Sequence, residues 1–313
     1  MSHAPDSPRS RLFLSLAAIV AGAAVAPAAS AAQENNSPII VQGERLTRDA
    51  ARDSAQSFVR AAGVATGEVP AARWIDPVCP DVTGLTDDGK VAVEAEIRRI
   101  AAEMGAPLAE PSCKKNFVIS FTSDGGALAR EIADRAPNRM AELTPSARAV
   151  VLKGGMPIRW WYTTEVRSRH GAVVGGGASN AGGTDQTSPG SGYGAALSGS
   201  GLMHYESSIL STLTQRVITS SIVIVDADDV SGRSLKGIAA FAALVGLAEI
   251  RDPGAKPAGS ILSMFDSPGS IRRMTRQDEA FLKALYRLPL DRTAHLHRGA
   301  LVRDMTRDLT FEP

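Results

Sequence analysis

Beyond Thr47 the chain switches repeatedly between the two hydrophobic periods that distinguish helix from strand. Ala51, Ala55, Phe58, Val59 and Ala62 recur at helical spacing behind Thr47, an N-cap residue type, and Gly63 ends the run. Trp74 to Val82 reads as extended, interrupted by Pro77 and Pro80. Asp87 to Met104 predicts an amphipathic helix with Val91, Val93, Ile97, Ile100, Ala101 and Met104 along one side and Gly105 at its end. Asn116 to Thr122 is rich in β-branched and aromatic residues and predicts a strand. A helix follows over Ala127 to Arg135, and Thr144-Pro145 opens a short one with Pro at the first helical position. Ile158 to Arg167 predicts a second strand, in which Trp160, Trp161 and Tyr162 alternate and call for apolar cover on both faces rather than an exposed aromatic strip.

Gly171 to Gly201 breaks the pattern. It is crowded with Gly, Ser, Ala and Asn and has almost no large apolar residue, so it reads as a flexible loop inserted between two strands. Gly175-Gly176-Gly177 lacks the Lys-Ser/Thr that a phosphate loop requires. Order returns with Leu213 to Asp226, where Ile222 to Val225 predicts a strand buried on both faces. Ser234 to Ile250 is an apolar helix almost without charge. Thr275 caps a helix running through Tyr286, and Asp291 is expected to cap a last one with Leu296, Ala300, Leu301, Met305 and Leu309 inside. Helices and strands alternate, which predicts a mixed α+β or α/β fold over residues 47–313, a mixed sheet packed with helices in a single domain.

The start of the chain carries different information. Arg9 and Arg11, an apolar run from Leu12 to Val25 and the small residues Pro27 to Ala32 make up the layout of a secretory signal peptide over residues 1–32. The run of about 14 residues falls short of the roughly 20 that a membrane span needs. Residues 33–46 read as a disordered leader. Export implies a periplasmic or secreted chain without a membrane span, in an oxidising compartment where Cys79 and Cys113 pair most simply as a disulfide. Closing that loop is worth roughly 3–4 kcal/mol in the chain-entropy model. The 34 basic residues face 33 acidic ones, and loss of residues 1–32 leaves the two signs equal. Such balance gives no electrostatic footprint for nucleic acid or an anionic membrane.

From Ile222 on, the order is buried strand, acidic turn, apolar helix, a Ser-Ile-Leu-Ser turn at Ser260 to Ser263, then Thr275 to Asp278 leading to Leu285 and Tyr286. This resembles the C-terminal half of the zinc peptidases called metzincins. The chain is also similar to a family of uncharacterised secreted proteobacterial proteins distantly related to them. The resemblance covers about the last third of the chain and implies a zincin-like scaffold. The metzincin helix carries H-E-x-x-H-x-x-G-x-x-H, because two His one turn apart hold zinc while the Glu activates its water. With Gly246 on the motif glycine, Ala239 and Ala243 take the first two ligand positions, Ala240 the Glu, and Glu249 the third ligand position. Alanine has no lone pair for a metal, so the resemblance implies the scaffold without its zinc site, and no cofactor. Glu249 itself reads as a solvated carboxylate near a helix end.

Other candidates fit turn and surface roles. Asp226, Asp228 and Asp229 suit a turn better than a calcium loop, since Val230 and Ser231 occupy ligand and glycine positions. His295 and His297 are two apart on a helix, cannot share an ion and are expected at the surface. His170 and His204 merely flank the Gly-rich segment. The expectation is an exported, non-catalytic protein binding an envelope protein, a peptide or a glycan through the former substrate cleft. The alternatives are a hydrolase with a non-standard site at Asp226 or Glu249, and an accessory protein whose Gly-rich loop tethers a partner.

Overall fold

A computed structural model describes residues 46–174, 211–266 and 271–311. The expected signal peptide, residues 33–45 of the leader, Gly175 to Gly201 and His204 lie outside the described residues. Within them, seven α-helices pack on a four-stranded mixed sheet. The strands are β1 (Pro80–Thr83), β2 (Phe117–Thr122), β3 (Ile158–Ser168) and β4 (Thr214–Asp226), in the spatial order β1-β2-β4-β3. β1, β2 and β4 run parallel, and β3 runs antiparallel to β4 with a register shift at Thr163/Thr164.

Alternation along the two longest strands sorts their side chains onto two faces. Trp160, Tyr162, Val223 and Val225 join the larger core, built with α1 (Arg48–Ala61), α2 (Asp87–Met104), α5 (Leu235–Leu247), α6 (Arg276–Arg287) and α7 (Ala294–Thr310). Trp161, Ile222 and Ile224 join a smaller core under α3 (Gly125–Arg135) and α4 (Pro145–Lys153). The apolar run of β4 and the adjacent aromatics of β3 follow from this, because both faces are covered.

The helix boundaries follow their caps. Thr47, Thr86, Asp124, Thr144, Ser234 and Thr275 each accept a hydrogen bond from a backbone N–H of the first turn. Gly105 ends α2 in the left-handed conformation at φ 82°. Three details differ from the expectations. Val91 is 68% exposed, because the inner stripe of α2 is Val93, Ile97, Ile100 and Met104. Thr293, not Asp291, precedes α7, and the Asp291 carboxylate accepts from Ser211 Oγ at 2.9 Å instead. Leu296 is exposed, and the inner stripe of α7 runs from Ala294 through His297 to Leu301, Met305 and Leu309.

The sheet edges are occupied. β1 is short and starts with Pro80, and the Cys79–Cys113 disulfide fastens its start to the connection before β2. On β3 the Glu142 carboxylate accepts from Thr164 N–H and, at 2.6 Å, from Thr164 Oγ1. Beyond β3 the chain turns at Gly171 and returns, so that Val174 N–H bonds Val166 C=O at 2.9 Å. Such contacts use up edge groups that would otherwise template pairing with another chain. Among the described residues no helix is long and apolar enough to cross a membrane.

Candidate functional site

Helix α5, the segment that the metzincin resemblance singles out, is buried on every side from Gly237 to Leu247. A helix that is apolar all round belongs inside a core, and its small residues let neighbours approach closely. Ala239, Ala240 and Ala243 are at most 1% exposed. Gly246 lies against the ring of Phe117, where an added Cβ would sit 1.9 Å from Cζ. The glycine therefore answers a packing demand. Among the described residues, apolar neighbours cover these positions.

Burying the C-terminal end of α5 strands carbonyls that no further helical turn can satisfy. Aromatic donors supply the missing bonds. Tyr162 Oη donates to Val245 C=O at 2.6 Å, Trp74 Nε1 to Gly246 C=O at 2.9 Å, and Tyr286 Oη to Leu247 C=O at 2.8 Å. Tyr162 Oη also accepts from Ile250 N–H at 3.1 Å, and Trp160 Nε1 donates to Ile250 C=O at 2.9 Å. Burial raises the Tyr162 hydroxyl pKa well above its ordinary value, which keeps it a donor.

Just past this helix end, Glu249 is 4% exposed, contrary to the expectation of a solvated carboxylate. Arg216 of β4 explains it. Its Nη1 and Nη2 donate to the two Glu249 oxygens at 2.7 and 2.8 Å, a bidentate pair of planar groups. Arg216 also donates to Pro70 C=O at 2.9 Å and Thr164 Oγ1 at 3.0 Å, and Glu142 approaches it at 3.5 Å. Arg251 Nε stands 3.6 Å from Glu249. Above this pair lies a depression of about 40 Å³ lined by Glu142, Trp160, Tyr162, Glu249 and Arg251 among others. It offers room for water rather than the roughly 300–1,000 Å³ of a small-molecule site. A larger depression of about 530 Å³ opens at the other end of α5 between Arg233, Ser234, Met264 and Arg272.

The remaining candidates separate. Asp226 ends β4, and its Oδ2 accepts from Gly125 N–H at 2.9 Å at the start of α3. Asp228 and Asp229 are exposed in the turn that follows. Among the described residues no group of three or more His, Cys, Asp or Glu is placed to hold a metal ion. His170 and His295 are exposed, whereas His297, expected at the surface, is fully buried. Its Nδ1 accepts from Ala71 N–H at 3.0 Å and its Nε2 lies 2.9 Å from Pro289 C=O.

Sequence reasoning also missed Asp278. Its Oδ1 accepts from Ser260 Oγ at 2.5 Å, and its Oδ2 from Ile261 N–H at 2.9 Å, Thr275 N–H at 3.0 Å and Thr275 Oγ1 at 2.7 Å. The Ser-Ile-Leu-Ser turn is thus clamped to the first turn of α6 by one carboxylate. Comparison with models of known families, with curated proteins and with solved structures finds no match for this chain.

Proposed function

We propose that the chain is an exported, non-catalytic binding protein on a zincin-like scaffold, recognising an envelope protein, a peptide or a glycan by a surface other than α5. The observation that carries this reading is the sealed helix. Ala239, Ala240 and Ala243 replace the groups that would bind zinc and its water, and apolar neighbours cover all three. Glu249, the one motif position that kept a ligand-type side chain, is held by Arg216 through both oxygens. Metal analysis of the purified protein, with a panel of peptide, ester and glycan substrates, tests the reading. The expected result is no stoichiometric zinc and no turnover. Stoichiometric zinc with activity lost to a chelator would overturn it.

One observation favours the alternative of a hydrolase with a non-standard site. Asp226 stands at the carboxyl end of β4 beside that of β2, and the connections from these neighbours lead to opposite faces, to α5 and α3. Open sheets with parallel strands place ligands in such crevices. Turnover on the same panel, abolished by Asp226→Asn in a folded variant, would favour this reading.

A further inference from the structure

Between α1 and Trp74 the chain makes a tight turn and then meets α7. Gly63, Ala65 and Gly67 all have positive φ, at 66°, 53° and 59°. Ala65 pays a steric cost in that region that the glycines do not. Two neighbouring residues of α7 hold the turn. Arg298 Nη1 donates to Ala65 C=O and, at 2.9 Å, to Gly67 C=O. His297 Nδ1 takes the N–H of Ala71.

The partners of His297 fix its protonation state. A backbone N–H can only donate, so Nδ1 presents a lone pair. A proline carbonyl can only accept, so Nε2 carries the hydrogen. The ring is therefore neutral, with both nitrogens committed to backbone on two different segments. The Ala71 N–H and the Pro70 carbonyl belong to one peptide group, and that carbonyl accepts from Arg216 Nη1 at 2.9 Å. A single peptide thus joins the imidazole to the buried Arg216–Glu249 pair, and each bond polarises the other.

We infer that His297 is an acid-sensitive clasp that fastens the 62–71 turn to α7 and, through the Pro70–Ala71 peptide, to the Arg216–Glu249 pair. A proton on Nδ1 sets two donors against each other and breaks the clasp. The charged groups facing the ring are Asp291 and Arg292 from the connection before α7 and Arg73 from the segment after the turn. Burial lowers the pKa of the ring, and the two guanidiniums act in the same direction, against the bond to Pro289 C=O and the charge of Asp291. The folded value thus lies below the ordinary 6.5. The clasp is intact above 6.5 and is lost as pH falls from there through the folded value. Each pH unit in that window favours the opened turn by up to about tenfold, one proton being taken up on opening.

Amide hydrogen exchange of the purified protein from pH 7.5 to 5, corrected for intrinsic rates, with imidazole nitrogen NMR, tests the clasp. Expected are a neutral Nε2–H tautomer at pH 7 and an opening constant at Ala71 that rises toward tenfold per pH unit below 6.5, while α3 stays protected. His297→Asn, which keeps an acceptor for Ala71 but does not titrate, should abolish that rise. Titration of the ring near 6.5 with Ala71 protection unchanged would overturn the inference, as would an equal acid response in H297N. If H297N does not fold, the tautomer and the Ala71 profile of the unaltered protein decide the matter.

Discussion

Two ends of neighbouring helices each bury a carboxylate, and they neutralise it differently. Beyond the C-terminus of α5, Glu249 meets a guanidinium brought by β4 from 33 residues earlier in the chain. At the N-terminus of α6, Asp278 meets hydroxyl and backbone donors from Ser260, Ile261 and Thr275, all within 18 residues. The first arrangement joins layers: Arg216 reaches from the sheet to the turn at Pro70, to Thr164 on the edge strand and to the end of α5. The second is local and ties one turn to one helix. A buried ion pair stabilises little against an apolar substitute, yet it costs much when half of it is removed. A caged carboxylate loses in smaller steps, because each donor can be withdrawn separately.

That difference predicts the largest effect. Arg216→Met leaves Glu249 buried beside no bidentate partner and should cost about 3–5 kcal/mol. The double change Arg216→Met with Glu249→Leu should recover most of the loss, to within about 2 kcal/mol of the original, since the uncompensated charge is gone. Denaturant midpoints at constant slope measure both. A double variant no better than the single one would mean that the pair specifies the packing and does more than neutralise charge. Next comes Asp278→Ala, which strands the Ile261 and Thr275 N–H groups and should cost about 2–3 kcal/mol. Burial raises the pKa of the Asp278 carboxyl above 3.8 despite its four donors. Its contribution is therefore full below 3.8 and declines as pH rises through the raised folded value. Asp278→Asn, which does not titrate, should accordingly cost more at pH 3.5 than at pH 7, and a cost independent of pH would contradict the direction of the shift.

The two carboxylates also differ in how far the sequence announces them. Thr275 followed three residues later by Asp278 is a capping-box spacing, and the box is present. The burial of that helix end depends on Ser260, which the cap alone does not signal. Glu249 gives no local sign at all: carboxylates are seldom buried, and the partner that reverses the odds is a strand residue met only after folding. Elsewhere the signal was present and needed closer reading. His297, Leu301, Met305 and Leu309 stand four apart and form the inner stripe of α7, so the burial of the histidine is written in its spacing, while Leu296 falls off the stripe. Val91 precedes Val93 by two, about 200° around the helix, and points away from the same core. Strand positions were legible because β-branched and aromatic runs have few other uses. The sealing of α5 was half legible. A helix almost without charge must be buried, but only the fold reveals Phe117 against Gly246 and three aromatic donors on the last carbonyls.

Tyr162 tests whether the Glu249 end is stabilised by charge alone. Its hydroxyl lies between Val245 C=O and Ile250 N–H and frames the turn that presents the carboxylate to Arg216. Tyr162→Phe keeps the ring and removes both bonds, for an expected loss of about 1–2 kcal/mol. In the Arg216→Met/Glu249→Leu background the same change should cost as much if the aromatic cap and the ion pair act independently. A cost smaller by more than about 0.5 kcal/mol would show them coupled, as expected for groups sharing one turn.

The smallest effect belongs to the Asp278 end and follows from the same reasoning. Thr275 gives this carboxylate both its N–H and its Oγ1, and its Oγ1 accepts in turn from Asp278 N–H at 3.3 Å. Thr275→Ala removes only the hydroxyl. The backbone donors of Thr275 and Ile261 remain on the carboxylate, as does Ser260 Oγ, so the cost should be that of a lost cap, about 1 kcal/mol. Thr275→Ser restores the hydroxyl and should lie within about 0.5 kcal/mol of the original. A Thr275→Ala loss approaching that of Asp278→Ala would mean that the hydroxyl, and not the set of donors together, holds the carboxylate, and the contrast with the guanidinium-bound arrangement at Glu249 would vanish.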